Sequence, residues 1–243
     1  VNMGDFTSLV TTNPRLEGLA NGVVYLRDFY TRFNAQTSIT VEQFRLDDDS
    51  VGVVKVNGRY SSETGKISFD GKADNKDYRF DLDGYYNIKD SINEPLNTTI
   101  HMQGTRVTYI NNFLEGIFSN IEGLATGDLT VKGDPRSPQL LGQVMLRNGG
   151  LTVDYTQVHY TIDSALFVFT KDAIDFGRFS IKDKYNNKGS VRGILYEQGF
   201  KNMRYDFDMA TDKLLVLDTK LKDNQQFYGK AIAKATLSIK GPQ

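Results

Sequence analysis

The sequence predicts an all-β fold, a long antiparallel sheet, and three observations predict it. Apolar and charged residues alternate without a slip through Met203-Arg204-Tyr205-Asp206-Phe207-Asp208-Met209-Ala210. A strand sends successive side chains to opposite faces, so such a segment is apolar on one face and wet on the other. Segments of this kind recur through most of the 243 residues. Between them lies the Asn/Asp/Gly chemistry of tight turns, at Asp47-Asp48-Asp49-Ser50, Glu63-Thr64-Gly65, Asp74-Asn75-Lys76, Asn148-Gly149-Gly150, Lys184-Tyr185-Asn186-Asn187 and Lys222-Asp223-Asn224. Connections this short join antiparallel neighbours, so the expected topology is a meander of about fifteen strands.

Taken in order, the first 38 residues are mixed and carry no firm pattern. Ile67 and Phe69 then share a face, as do Tyr78, Phe80 and Leu82, and Leu96, Ile100 and Met102. From Asn111 to Glu122 the rhythm changes. Phe113, Leu114, Ile117, Phe118 and Ile121 follow helical spacing behind Asn111 and Asn112 as caps, which predicts one short amphipathic helix near 111–122. Glu122-Gly123 is the expected soft boundary, giving segments 1–122 and 123–243 that continue into one another. Beyond it, Leu129 pairs with Val131, Val144 with Leu146, Val158 with Tyr160 and Ile162, and Leu215 with Leu217 on apolar faces.

Alternation fits two architectures, a closed two-sheet sandwich or one long sheet curled into a trough with an apolar interior. The last strand places Gly229, Ala231, Ala233 and Ala235 on its inward face, followed by Leu237 and Ile239. Small inward residues, with Gly142 and Gly193 on other inward faces, suit a bent sheet.

Composition narrows the function. With 29 basic and 30 acidic residues there is no bulk positive field for nucleic acid. Cysteine is absent, which removes disulfides, thiol nucleophiles and cysteine metal sites. His101 and His159 stand on separate strands at polar-face positions, without the spacing of a shared metal site. Asp81 with Asp83, and Asp206 with Asp208, share faces at i, i+2, where solvated charge is the ordinary reading. No phosphate loop, nucleophile elbow or calcium loop occurs. The sequence therefore reads as a non-enzyme without a cofactor. No apolar run reaches the roughly 18 residues needed to span a bilayer, and the last strand runs in full stride to Gly241-Pro242-Gln243, so the chain reads as a fragment of something longer.

From about Gly123 to Pro242 the chain resembles the C-terminal domain of TamB-like proteins, within the AsmA-like group. The matching residues are Gly127-Asp128-Leu129-Thr130-Val131-Lys132-Gly133-Asp134-Pro135, then Asn148-Gly149-Gly150-Leu151-Thr152-Val153 with Tyr155-Thr156. Ile174-Asp175-Phe176-Gly177 leading to Asp183 follows, then Gly189-Ser190-Val191-Arg192-Gly193-Ile194. The closing blocks are Leu217-Asp218-Thr219 through Asp223-Asn224, Phe227-Tyr228-Gly229-Lys230-Ala231 and Ile239-Lys240-Gly241-Pro242. The resemblance implies a β-taco, one antiparallel sheet bent lengthwise into a U. It also implies a periplasmic segment of a protein anchored in the inner membrane outside this chain. Phospholipid acyl chains and an outer-membrane barrel protein of the TamA type are the implied partners.

The expected groove lining is Leu129, Val131, Val144, Leu146, Leu151, Val153, Tyr160, Ile162, Met203, Tyr205, Phe207, Met209, Leu215, Leu217, Leu237 and Ile239. The expected function is conduction of phospholipid between the two membranes. The alternatives are an assembly module that binds nascent outer-membrane strands by β-augmentation and a carbohydrate-active or adhesive surface with paired carboxylates.

Overall fold

The computed structural model describes residues 2, 15–28, 30, 32–47, 49–89, 94–113, 118–135, 137–198, 201–223 and 228–241. Thirteen strands form among them: β1 (Leu16–Arg27), β2 (Asn34–Leu46), β3 (Asp49–Ser61), β4 (Lys66–Asp74), β5 (Arg79–Asn87), β6 (Leu96–Arg106), β7 (Phe118–Gly133), β8 (Gln139–Val153), β9 (Val158–Phe169), β10 (Ala173–Lys182), β11 (Lys188–Gln198), β12 (Lys201–Thr219) and β13 (Gly229–Gly241). They make one open sheet in which spatial order equals chain order. The registered pairs are all antiparallel, so the meander expected from the short turns is what forms.

The turns form for local reasons. After β4, Asn75 Oδ1 accepts from the backbone N–H groups of Asp77 and Tyr78 at 3.1 and 2.9 Å, while its Nδ2 donates to the Val51 carbonyl at 2.5 Å. After β10, Asp183 Oδ1 accepts from the N–H groups of Tyr185 and Asn187 at 2.8 and 3.0 Å. Asn and Asp supply the turn with acceptors the backbone lacks there.

Two expectations are corrected. The amphipathic helix near 111–122 is not shown: among the described residues, Thr108–Phe113 is a short 3₁₀ helix, and Phe118–Glu122 already belong to β7. Leu114 and Ile117 lie outside the described residues. Asn111 is the reason in physical terms. Its Nδ2 donates to the Thr108 and Ile121 carbonyls at 2.7 and 3.1 Å, and its Oδ1 accepts from the Ile121 N–H at 2.8 Å. A side-chain amide that pairs with strand backbone on both its donor and acceptor sides holds the segment against β7, and a helix this short has little stability of its own to resist.

The second correction concerns Asn148-Gly149-Gly150, which lies inside β8 rather than at a turn. Asn148 takes φ of 50°, inserting a bulge that shifts the alternation by one residue. A Cβ built at Gly149 would meet the Leu146 and Ile162 side chains, whereas one at Gly150 would meet Glu122 and His159. So even-numbered Val144 and Leu146 and odd-numbered Leu151 and Val153 share the apolar face. Long unbroken strands such as β7, β8 and β12 also explain why there are thirteen among the described residues.

The chain divides into two compact units, Val1–Thr105 with Thr126–Gly142, and Arg106–Ala125 with Gln143–Gln243. The first has its own core of Val51, Val54, Ala73 and Tyr78, with Phe44, Leu46, Val56 and Phe80 packed against it. The second buries Val158, Tyr160, Ile162, Ile174, Ile181, Leu214 and Leu215.

Candidate functional site

The expected lining falls mostly in the second unit. Val144 and Leu146 on β8, and Tyr160 and Ile162 on β9, are buried; Leu151 and Val153 are half-buried. On β12, Leu215 is buried, while Phe207, Met209 and Leu217 are half-buried. Met203 lies in β12, with its side chain outside the described residues. Leu129 and Val131, both half-buried on β7, belong to the first unit.

One end of this apolar face is sealed. Strands β9 and β12 are three apart in the sheet, a separation of roughly 14 Å if the sheet were flat, yet they touch. The Tyr160 hydroxyl donates to the Leu215 carbonyl at 2.8 Å, and the Asp218 N–H donates to the Thr156 carbonyl at 2.9 Å. Asp183, only 4% exposed, accepts the Leu215 N–H on Oδ2 at 2.7 Å and Asn187 Nδ2 at 2.9 Å, besides its two turn bonds. Burial by itself pushes the Asp183 carboxyl up. Its hydrogen bonds from the Asn187 side chain and from the Leu215, Tyr185 and Asn187 amides outweigh that and hold it below the usual carboxylate range. Burial, and secondarily the Asp183 charge, pushes the Tyr160 phenol up to about 12. Val158, Leu214 and Leu215 fill the space beneath, at 0%, 0% and 1% exposed. Adjacent Leu214 and Leu215 can both be buried because the β12–β13 register shifts between Thr211 and Leu214 and again between Leu215 and Leu217.

The opposite end of the same strands is open. An aromatic row crosses it: Phe167 meets Phe176 edge-on with centroids 5.1 Å apart, and Phe176 meets Phe207 at 5.5 Å. The Phe207 ring lies on Gly193, where an added Cβ would fall inside the ring. Beyond the row, Tyr205, Leu237 and Ile239 are 36%, 43% and 46% exposed. Ile239 and Leu237 pair with Phe207 and Met209, extending the apolar surface onto β13.

Sequence reasoning placed Gly193 on an inward face but did not pick out Phe167, Phe176 or Leu214 as part of the lining. Phe176 sits at the β10–β11 bulge between Asp175 and Gly177, and Leu214 at a β12–β13 shift, so strict alternation assigns neither to a face. What it left out at Gly193 is the contact with the facing Phe207 ring.

The polar face is a lattice of cross-strand pairs. His101 Nδ1 lies 2.7 Å from Asp128 and its Nε2 3.7 Å from Asp83, and the hydrogen bond to Asp128 raises its pKa above the ordinary histidine value. His159 shares a hydrogen bond with Thr152 at 3.1 Å. Both histidines are on the charged face, and among the described residues no group of three or more His, Asp or Glu is placed to hold a metal ion.

In comparisons with known proteins, no family model matches the chain, and no curated protein or solved structure does either. The likeness to TamB-like domains thus rests on the residues quoted for it above.

Proposed function

We propose that this chain is a periplasmic segment of a TamB-like bridge protein, its sheet curled lengthwise into a trough that carries phospholipid acyl chains between inner and outer membranes. The observation that carries the reading is the graded apolar face of the second unit. Leu214 and Leu215 are shut in at one end, while Tyr205, Leu237 and Ile239 are left exposed beside the aromatic row at the other. Each methylene moved from water onto such a surface gains about 0.8 kcal/mol, so a 16-carbon chain gains roughly 10 kcal/mol before entropy losses. The headgroup stays wet at the open seam. Acyl chains lie against Phe207, Leu237 and Ile239 and stop short of the Tyr160–Leu215 contact. No covalent step is involved, and the outer-membrane partner in this reading is a barrel protein of the TamA type.

The test is photo-crosslinking in cells with the probe at Phe207, Ile239, Asp208 or Leu215 of the intact protein, followed by mass spectrometry. Lipid adducts are expected at 207 and 239 and at neither 208 nor 215. Adducts confined to the protein itself at all four positions would overturn the reading.

A second reading is favoured by β1. Val23, Val24, Tyr25 and Leu26 are all exposed. Among the described residues, the stretch from Asn21 to Arg27 pairs on one side only. An unpaired apolar edge accepts a further strand, which suits an assembly module holding nascent outer-membrane proteins. Polypeptide adducts from a probe at Val24, with none of lipid at Ile239, would favour this reading over the first.

A further inference from the structure

The polar face of β1–β4, in the first unit, carries a feature that neither reading uses. Register places Tyr25, Gln36, Arg59 and Ser68 opposite one another across the four strands, and Arg27, Asn34, Ser61 and Lys66 in the next row but one. Residues two apart on a strand share a face, as do direct cross-strand partners. All eight therefore point the same way, and all eight line one open depression of about 430 Å³.

Several cations of the charged face sit against carboxylates, as in Lys182–Asp163 at 2.5 Å, Lys132–Glu94 at 3.0 Å and Lys240–Asp206 at 3.0 Å. Here, among the described residues, Arg27 and Arg59 have neither an ion pair nor a side-chain hydrogen bond. Lys66 rests its ammonium on the Tyr85 ring at 3.8 Å. Three cations share the depression with one carboxylate, Asp28. The nearby Glu63 faces Arg32, at 3.6 Å. Around the cations stand neutral donors and acceptors, Gln36, Asn34, Ser61, Ser68 and Thr64, with the exposed Tyr25 ring at the margin.

We propose that this array binds a phosphoryl group esterified to a polyhydroxyl body, sugar or glycerol. Arg27 and Arg59 grip the phosphoryl oxygens, Lys66 adds charge, and the amide and hydroxyl side chains take the hydroxyls. Guanidinium forks match phosphoryl geometry in pairs. Unpaired on a sheet, they carry no competing carboxylate that a ligand would have to displace. The aromatic margin gives a sugar or glycerol body a flat face to rest on.

Two probes separate the sources of that chemistry. Glucose 6-phosphate, with glucose as its neutral control, is followed by NMR on the whole chain. Phosphatidylcholine vesicles with and without phosphatidylglycerol are followed by co-sedimentation. The expected result is shifts at Arg27, Arg59 and Lys66 with glucose 6-phosphate and none with glucose. In the R27Q/R59Q variant the affinity falls at least about tenfold. Both arginines are exposed, so an unchanged melting temperature separates this loss from unfolding. Binding only to phosphatidylglycerol vesicles, lost in the same variant, also supports the site and assigns the phosphoryl group to a lipid headgroup. Absence of binding to either probe, or binding that R27Q/R59Q leaves intact, would overturn it.

Discussion

Single residues decide where the apolar face of the second unit is shut, and Asp183 is one of them. It satisfies two amides of its own turn and one of β12. Hydrogen bonds to a charged acceptor contribute about 1.5–3 kcal/mol each, so Asp183→Ala should lower the melting temperature by several degrees and Asp183→Asn by less. The carboxyl is depressed in the folded chain. Its stabilisation is therefore complete above the unfolded value near pH 4 and is lost as pH falls through the lower folded value. Acid unfolding of wild type and D183N should converge at low pH, and equal gaps at pH 7 and pH 2 would refute this role. His101 has the opposite sign. Its pKa is raised by the Asp128 hydrogen bond, so that contact contributes fully below about pH 6.5 and fades as pH climbs through the folded value. NMR titration should find a lower His101 pKa in D128N.

Gly193 and Phe207 act as a pair. Adding a methyl at Gly193 displaces the ring, and overpacking of this kind costs about 1–3 kcal/mol. In an F207A background the same substitution should cost almost nothing. A double-mutant cycle by chemical denaturation measures the difference, and additivity would show that the ring does not depend on the glycine.

At the level of elements, β12 has two different ends. Leu215 and Asp218 give their amides to Asp183 and Thr156 beneath a filled core, whereas Tyr205 stands half open beside β13. Hydrogen exchange should be slowest at Leu215 and Asp218 and faster by orders of magnitude toward Arg204, since protection follows local burial and contact density. A uniform profile along β12 would contradict the sealed end. The same scale marks where sequence reading stops. Period-2 alternation made eight of the thirteen strands legible, though not β1–β3, β10 or β11, and put Tyr160, Ile162 and Leu215 on an apolar face. It misread Asn148-Gly149-Gly150, because Asn-Gly chemistry serves a bulge as well as a turn, and the partner strand selects between them. It misread 111–122 because helical spacing over a dozen residues is weaker than the backbone pairing Asn111 offers β7.

The whole molecule is a meander whose strands pair with their chain neighbours, in two compact units each with its own core. Stability in such an array is close to a sum of local and nearest-neighbour contributions. Leu214→Ala, which empties a fully buried position, should cost about 2–5 kcal/mol. Its effect on exchange should concentrate in the second unit and leave Val54 and Ala73 in the first nearly unchanged. Equal loss of protection in both cores would mean that the two units unfold as one.

By itself the sequence determined that the chain is all-β, antiparallel and ordered along its own length, and which residues lie on the apolar side of most strands. Those properties follow from side-chain alternation and turn chemistry, which act over a few residues. Only the tertiary structure decided where the apolar face is shut and where it is open, that Leu214 joins Leu215 inside, and that Arg27 and Arg59 line one depression on one face of β1–β4. These depend on register shifts, bulges and contacts between distant strands, and no local pattern encodes the residue that will stand opposite.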